Sequence, residues 1–211
     1  VAGNDGWESA SIAAVARDAG VKPAEAEALY KDIWDILADV LDDIEDRTEA
    51  EVRDYMGDSW HDNLLEILMV RFDLAQDYRP ALSGLPVFAL RHPRHSRRFM
   101  RRMYDTMERM LYLARVPDEK ISPLSISGFC LIYLSLVERW NKDTTQDMSP
   151  TMAAIDKRLG WFEQASGYIE RIPCAPLAAP VRKAAGKAKE KAKATVKEKA
   201  KKLKSKIKAA A

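Results

Sequence analysis

Apolar residues recur at three- and four-residue intervals through almost the whole stretch from Ser11 to Phe162, while the alternation of a half-buried strand is absent. A chain patterned in this way folds as an all-α protein, because each apolar stripe comes to lie along one side of a helix. In 123–142, Ile126, Phe129, Cys130, Tyr133, Val137 and Trp140 form one stripe, and Leu124, Leu131 and Leu134 widen it. A helix apolar over that much of its circumference needs cover on more than one side. The segment 150–171 repeats the spacing with Met152, Ile155, Leu159, Phe162 and Ala165, so it is the natural covering partner. Two such helices also pair with their copies in a second subunit as a four-helix interface. A homodimer is therefore expected through Ile126, Tyr133, Val137, Met152, Ile155, Leu159 and Phe162.

Turn residues divide the pattern. A short helix from Ser11 ends at Gly20, a good left-handed terminator, and Pro23 suits the first turn of the next. That second helix is expected to run on unbroken, carrying Ala26, Leu29, Tyr30, Ile33, Ile36, Leu37, Val40 and Leu41 inward, with Asp32, Asp35, Asp39, Asp42 and Asp43 outward. Thr48 followed by Glu51 has capping-box spacing, which predicts a new helix there. Further helices are expected over 59–76, 80–90 and 96–115, with Pro80, Pro93, Pro117, Pro123 and Pro150 at or near the boundaries.

The formal net charge of +2 hides a large separation. Residues 1–60 hold five basic and sixteen acidic side chains, a net of −11, and residues 180–211 hold thirteen basic and two acidic, a net of +11. From Pro173 the chain is first proline-rich and then almost only lysine and alanine, too poor in large apolar residues for a core of its own. If helical, this tail aligns Val196, Leu203 and Ile207 in a lysine field, the pattern of a segment lying on an anionic membrane. Sequence-independent binding of nucleic acid and pairing with the acidic N-terminal region are the other readings of so basic an end.

The longest apolar run, Ile126–Val137, is shorter than the ~20 residues that a membrane crossing needs. Cys130 and Cys174 sit in dissimilar surroundings without metal-site or disulfide spacing, and a reducing cytoplasm is the default. There is no glycine-rich phosphate loop and no metal-ligand cluster, and with only three histidines no serine or cysteine has a plausible base. The sequence assigns no catalytic residue, metal or cofactor.

The run "ARDAGVKPAEAEALY" has the outline of a helix-turn-helix and resembles the TetR family of transcription regulators. The segments "LLEILMVRFDLAQDYRPAL" and "LSLVERWNKDTTQDMSPTMAAIDKRLGWFE" look like the C-terminal domain of a proteobacterial TetR branch. More weakly, they are similar to the related lipid-binding accessory family of ubiquinone biosynthesis. The resemblance covers roughly residues 7–171. It implies a TetR-like helical bundle with a degenerate helix-turn-helix head over 1–58, a helical ligand-binding and dimerisation domain over 59–172, and a linker and basic tail over 173–211.

Departures from the family pattern fall on its phosphate contacts. The family's tyrosine after the turn is Glu27 here, the later aromatic survives as Tyr30, and the lysine beyond it is Ile33. The family's first helix would stand before the Gly6-Trp7 pair, and Val1–Asp5 is too short for it. Lys22, Tyr30 and Lys31 remain as DNA-contacting candidates, opposed by Glu25, Glu27 and Asp32. Non-specific DNA affinity comes from cations that neutralise phosphates, so a head near −11 is expected to bind DNA weakly.

Two further constellations stand out. Arg91, Arg94, Arg97, Arg98, Arg101 and Arg102 crowd one segment, which reads as a solvated face, a dock for the acidic head or a site for an anionic headgroup. Met69, Phe72, Met103, Met107, Leu111, Phe129 and Tyr133 read either as core or as a pocket for an apolar or lipid-like molecule, since methionine suits adaptable cavities. The expected whole is a non-enzymatic TetR-fold homodimer with weakened DNA binding, cytoplasmic, its tail on an anionic membrane face or on nucleic acid. The alternative is a ligand-responsive regulator binding DNA as a dimer. A third class is a scaffold that holds a protein partner at the acidic helix Asp32–Asp43.

Overall fold

The computed structural model describes residues 6–169, with the backbone alone for residues 90, 93, 94 and 167–169. The chain divides between Arg171 and Ile172, and every described residue falls in the first unit. The lysine-rich stretch 180–211, with Val196, Leu203 and Ile207, and Cys174 lie outside the described residues, as does the Arg94 side chain.

Among the described residues the structure is all-α, with no strand. Eight helices follow one another: α1 (Ile12–Asp18), α2 (Pro23–Leu29), α3 (Ile33–Val52), α4 (Trp60–Leu74), α5 (Arg79–Arg91), α6 (Pro93–Leu113), α7 (Pro123–Asn141) and α8 (Ser149–Ile169). Local chemistry sets most of the boundaries. The Ser11 and Ser59 hydroxyls accept from Ala14 N and Asp62 N, and Ser122 with Ser125 forms a reciprocal capping box. Gly20, at φ +69°, closes α1: its N–H reaches Arg17 O, and Val21 N–H reaches Ala16 O.

Two expectations at the head fail. The helix from Pro23 is not continuous, because Tyr30 and Asp32 adopt extended backbone between α2 and α3. Asp32 Oδ1 accepts from Trp34 N at 2.9 Å and Asp35 N at 3.2 Å, and these capping bonds start a new helix inside an unbroken apolar period. Conversely, no helix begins at Thr48. It is 3% exposed inside the C-terminal part of α3, and its hydroxyl donates back to Ile44 O at 2.7 Å.

α3 packs on α4, α4 on α8, α8 on α7, α7 on α6 and α6 on α5. The main core joins Ile44 and Val52 of α3 to Leu64, Ile67 and Phe72 of α4, Met107 and Leu111 of α6, Phe129 and Trp140 of α7, and Ile155 and Leu159 of α8. Each of these large side chains is fully or nearly fully buried, contributing roughly 1.5–3 kcal/mol of transfer free energy. A smaller core of Trp7, Trp34, Leu37, Leu85 and Ala89 ties the first residues and α3 to α5, with Trp7 Nε1 donating to Ala81 O at 2.7 Å.

Candidate functional site

One face of α3 carries Asp32, Asp35, Asp42, Glu45, Asp46 and Glu49, and it meets the arginines of α6 in the same order along both helices. Arg98 reaches Asp32 at 2.6 Å and Asp35 at 2.9 Å; Arg102 reaches Asp42 at 2.9 Å and Glu45 at 3.1 Å. Arg109 reaches Glu49 at 3.0 Å, Glu45 at 3.4 Å and Asp46 at 3.6 Å. Helical spacing of both charge rows makes this register available, and planar guanidinium forks suit paired carboxylates. Of the three readings of the arginine segment, the geometry is that of a dock for the acidic face. Arg91, Arg97, Arg98 and Arg101 are exposed and Arg102 is half-buried; of these, Arg98 and Arg102 pair with carboxylates at α3.

The inner end of this clasp is buried. The Glu45 side chain is 10% exposed and also accepts from the Thr106 hydroxyl at 2.7 Å, while Arg71 of α4, 5% exposed, stands 3.9 Å away. Arg71 Nε donates to the Tyr133 hydroxyl of α7 at 3.1 Å. Burial disfavours the Arg71 cation, yet Tyr133 and Glu45 outweigh it and raise its pKa above the ordinary arginine value. Burial likewise works against charge at Arg98 and Asp35; the backbone N–H of Lys31 and then Arg98 lower the Asp35 pKa, and Asp35 with Asp32 raises that of Arg98. Sequence reasoning did not single out Glu45 or Arg71; a lone arginine inside the apolar period of "LLEILMVRFDLA" was the available signal.

The helix-turn-helix presents a mixed surface. Val21, Lys22, Glu25, Glu27, Leu29 and Lys31 are exposed, and Ala26 is turned inward. Tyr30 is half-buried and donates to Asp39 Oδ2 at 2.9 Å; burial, that hydrogen bond and the Asp39 charge push its pKa up to about 12. It braces the head internally.

The seven pocket candidates gather in one core, which they fill with one another. Phe72, Met103, Met107, Leu111 and Phe129 are buried, and Met69 and Tyr133 half-buried. Phe72 stacks on Tyr133 with centroids 5.8 Å apart and on Trp140 at 5.2 Å. Beside them, between α3, α4 and α6, lies a cavity of about 20 Å³, room for one water-sized occupant, with Glu45, Arg71, Thr106 and Arg109 in its lining.

The expected dimer-interface residues need correction. Ile126, Ile155 and Leu159 are 0% exposed and Phe162 4%, all inside the core of a single chain, and Tyr133 is engaged by Arg71. Val137 is half-buried, and Met152 alone of the set is exposed. The intrachain packing of α7 on α8 takes the most apolar stripe of each helix. The outer side of α7 carries Leu124 at 60% and Leu131 at 68% exposure, and α8 adds Trp161 at 56%.

Among the described residues, no group of three or more His, Cys, Asp or Glu side chains is placed to hold a metal ion, and no helix is long and apolar enough to cross a membrane. The described residues thus define the class of all-α proteins, with the long helix α3 clasped by its carboxylates to the arginines of α6. Comparison with protein-family models, with curated proteins and with solved structures gives no significant match.

Proposed function

We propose that the chain is a non-enzymatic ligand-binding protein of TetR-like plan, acting as a homodimer, whose helix-turn-helix has kept its backbone and lost most of its hold on phosphate. The surface of α2 carries this reading. Glu25, Glu27 and Leu29 stand outward beside Lys22, and the Tyr30 hydroxyl is spent on Asp39. Phosphate contacts set both the register and the salt-dependent affinity of a docked helix, and carboxylates at those positions oppose them. The ligand is an apolar or lipid-like molecule. Met103, Met107 and Met110 support it, because flexible thioether side chains can repack around a guest that has no preformed room. The place of action is the cytoplasm, with the 180–211 tail bringing the protein to an anionic membrane face or to nucleic acid.

Selection of duplexes from a random pool, by the full chain and by a chain ending at Arg171, tests the reading together with mass spectrometry of apolar molecules that co-purify. The expected result is no sequence preference and a bound apolar species. Recovery of one operator-like duplex, with the preference lost on replacing Glu25 or Tyr30, overturns it.

A second reading, a ligand-responsive transcription regulator, is favoured by the clasp itself. Arg98, Arg102 and Arg109 neutralise carboxylates of α3, so the formal −11 of residues 1–60 does not stand as free charge. The same selection decides between the two, since a regulator releases its duplex when the apolar ligand is added.

A further inference from the structure

The buried end of the clasp leaves a donor without a partner. Arg71 is 5% exposed; its Nε donates to Tyr133, its Nη2 stands 3.9 Å from Glu45, beyond hydrogen-bond length, and its Nη1 is buried with no acceptor. A buried donor left in this way is costly, and the neighbouring space is where an acceptor can stand. Arg71 lines the cavity of about 20 Å³ between α3, α4 and α6, with Glu45, Glu49 and Arg109 on its polar side and Ile67, Met110 and Leu113 on its apolar side.

Charge restricts the occupant. Arg102 pairs with Asp42 and Glu45, and Arg109 with Glu45, Asp46 and Glu49, so Arg71, Arg102 and Arg109 face four carboxylates. With carboxylates in excess, and with Glu45 and Glu49 in the lining itself, an anion is opposed. A cation would meet the Arg71 guanidinium, which can only donate. An uncharged oxygen, carbonyl or hydroxyl, satisfies both conditions by accepting from Arg71 Nη1. The cavity has room for one such atom. Arg109 and Glu49, with side chains 43% and 40% exposed, stand at its solvent side, and Ile67, Met110 and Leu113 offer an apolar wall to the chain that carries the oxygen.

We propose that this cavity takes the polar end of the apolar ligand, and that this end is an uncharged oxygen held by Arg71 Nη1. The ligand class is then a long-chain ketone, ester or alcohol, and not a fatty-acid anion or a phospholipid headgroup. This inference rests on the apolar-ligand reading above and narrows it.

The test uses the full chain and three probes of equal length: a long-chain methyl ketone, the alkane and the fatty-acid anion. Dissociation constants come from displacement of an environment-sensitive apolar dye. The ketone is expected to bind more tightly than the anion. On Arg71→Met the ratio of ketone to alkane affinity is expected to fall about tenfold, as on loss of a hydrogen bond from a charged donor, while alkane affinity holds. Because that variant risks misfolding, a crystal structure of the unaltered protein with the ketone is the second measurement, and the ketone oxygen should lie within hydrogen-bond reach of Arg71 Nη1. A ratio that survives Arg71→Met in folded protein, tighter binding of the anion, or a water at Nη1 with the ketone elsewhere overturns this assignment and leaves the apolar-ligand reading standing. Failure of all three probes to bind overturns that reading, and this inference with it.

Discussion

The Thr106 hydroxyl donates to Glu45 Oε1 at 2.7 Å, beneath the point where Arg102 and Arg109 close on the same carboxylate and Arg71 approaches from α4. One side chain of α3 thereby engages two helices of the body. Replacing Glu45 by alanine strands the buried Arg71 cation and is expected to cost about 3 kcal/mol of unfolding free energy. Asp43→Asn, at an exposed pair 3.9 Å from Arg47, is the control and should stay within about 0.5 kcal/mol. Urea titration of the three proteins checks this; equal midpoints for Glu45→Ala and the control refute the central role of Glu45.

Asp143 performs the same service at the other end of the body. It is 3% exposed and accepts from the backbone and hydroxyl groups of Thr145 and Thr151, while Arg79 Nη1 donates to its carbonyl at 2.6 Å. Burial alone would raise its pKa, but the four hydrogen bonds outweigh that and hold it well below the usual carboxylate range. A depressed folded pKa contributes stability that is present above the unfolded value of about 3.9 and is lost as pH falls through and below it. Asp143→Asn is therefore expected to lose about 2 kcal/mol at neutral pH and to flatten the acid limb of the stability profile below about pH 4. An acid limb parallel to that of the unaltered protein would exclude Asp143 as its source.

These two networks mark what was legible in the sequence and what was not. The stripes of α7 and α8, the helix start at Ser11 and the terminator at Gly20 follow from period and local chemistry, which one segment carries by itself, whereas the capping box of Ser122 and Ser125 was not read. The break at Tyr30–Asp32 did not show, because the apolar period of Ala26, Leu29, Tyr30 and Ile33 passes straight through it and only the Asp32 cap interrupts the backbone. Thr48 and Glu51 carry the same letters as a capping box, but burial of Thr48 against the core keeps α3 whole. The acidic and arginine rows were each visible. Their pairing depends on α3 and α6 meeting about sixty residues apart in sequence, which no local rule specifies. The residues expected at an interface were misassigned for a related reason: the best apolar stripes of α7 and α8 are used within the chain.

The outer side of α7 gives the third expectation. Leu124 and Leu131 lie seven residues apart on the solvent side of α7, and neither is a surface that water favours. If the homodimer forms there, Leu131→Lys places like charges across the two-fold axis and should shift the protein from dimer to monomer in sedimentation velocity, with the helix content unchanged. Ile155→Ala, in the core at 0% exposure, should instead cost about 2–5 kcal/mol of stability without a specific effect on assembly. A dimer that survives Leu131→Lys with unaltered dissociation constant would move the interface elsewhere.

The head allows the most direct trial of the electrostatic argument. Glu25 and Glu27 are exposed on α2, and each replacement by lysine changes the local charge by two without touching the core, since Ala26 supplies the buried contact between them. If carboxylates at these positions are what keeps phosphate away, the double variant should bind duplex DNA more tightly than the unaltered head. The gain should carry an additional salt slope of about 2 in log K against log salt, one unit for each new phosphate contact. The measurement belongs in chains ending at Arg171, so that the thirteen basic residues of 180–211 do not mask it, and fluorescence anisotropy over a salt series reads it. An affinity and slope that do not move would overturn the proposal that carboxylates on α2 set the head's affinity for phosphate.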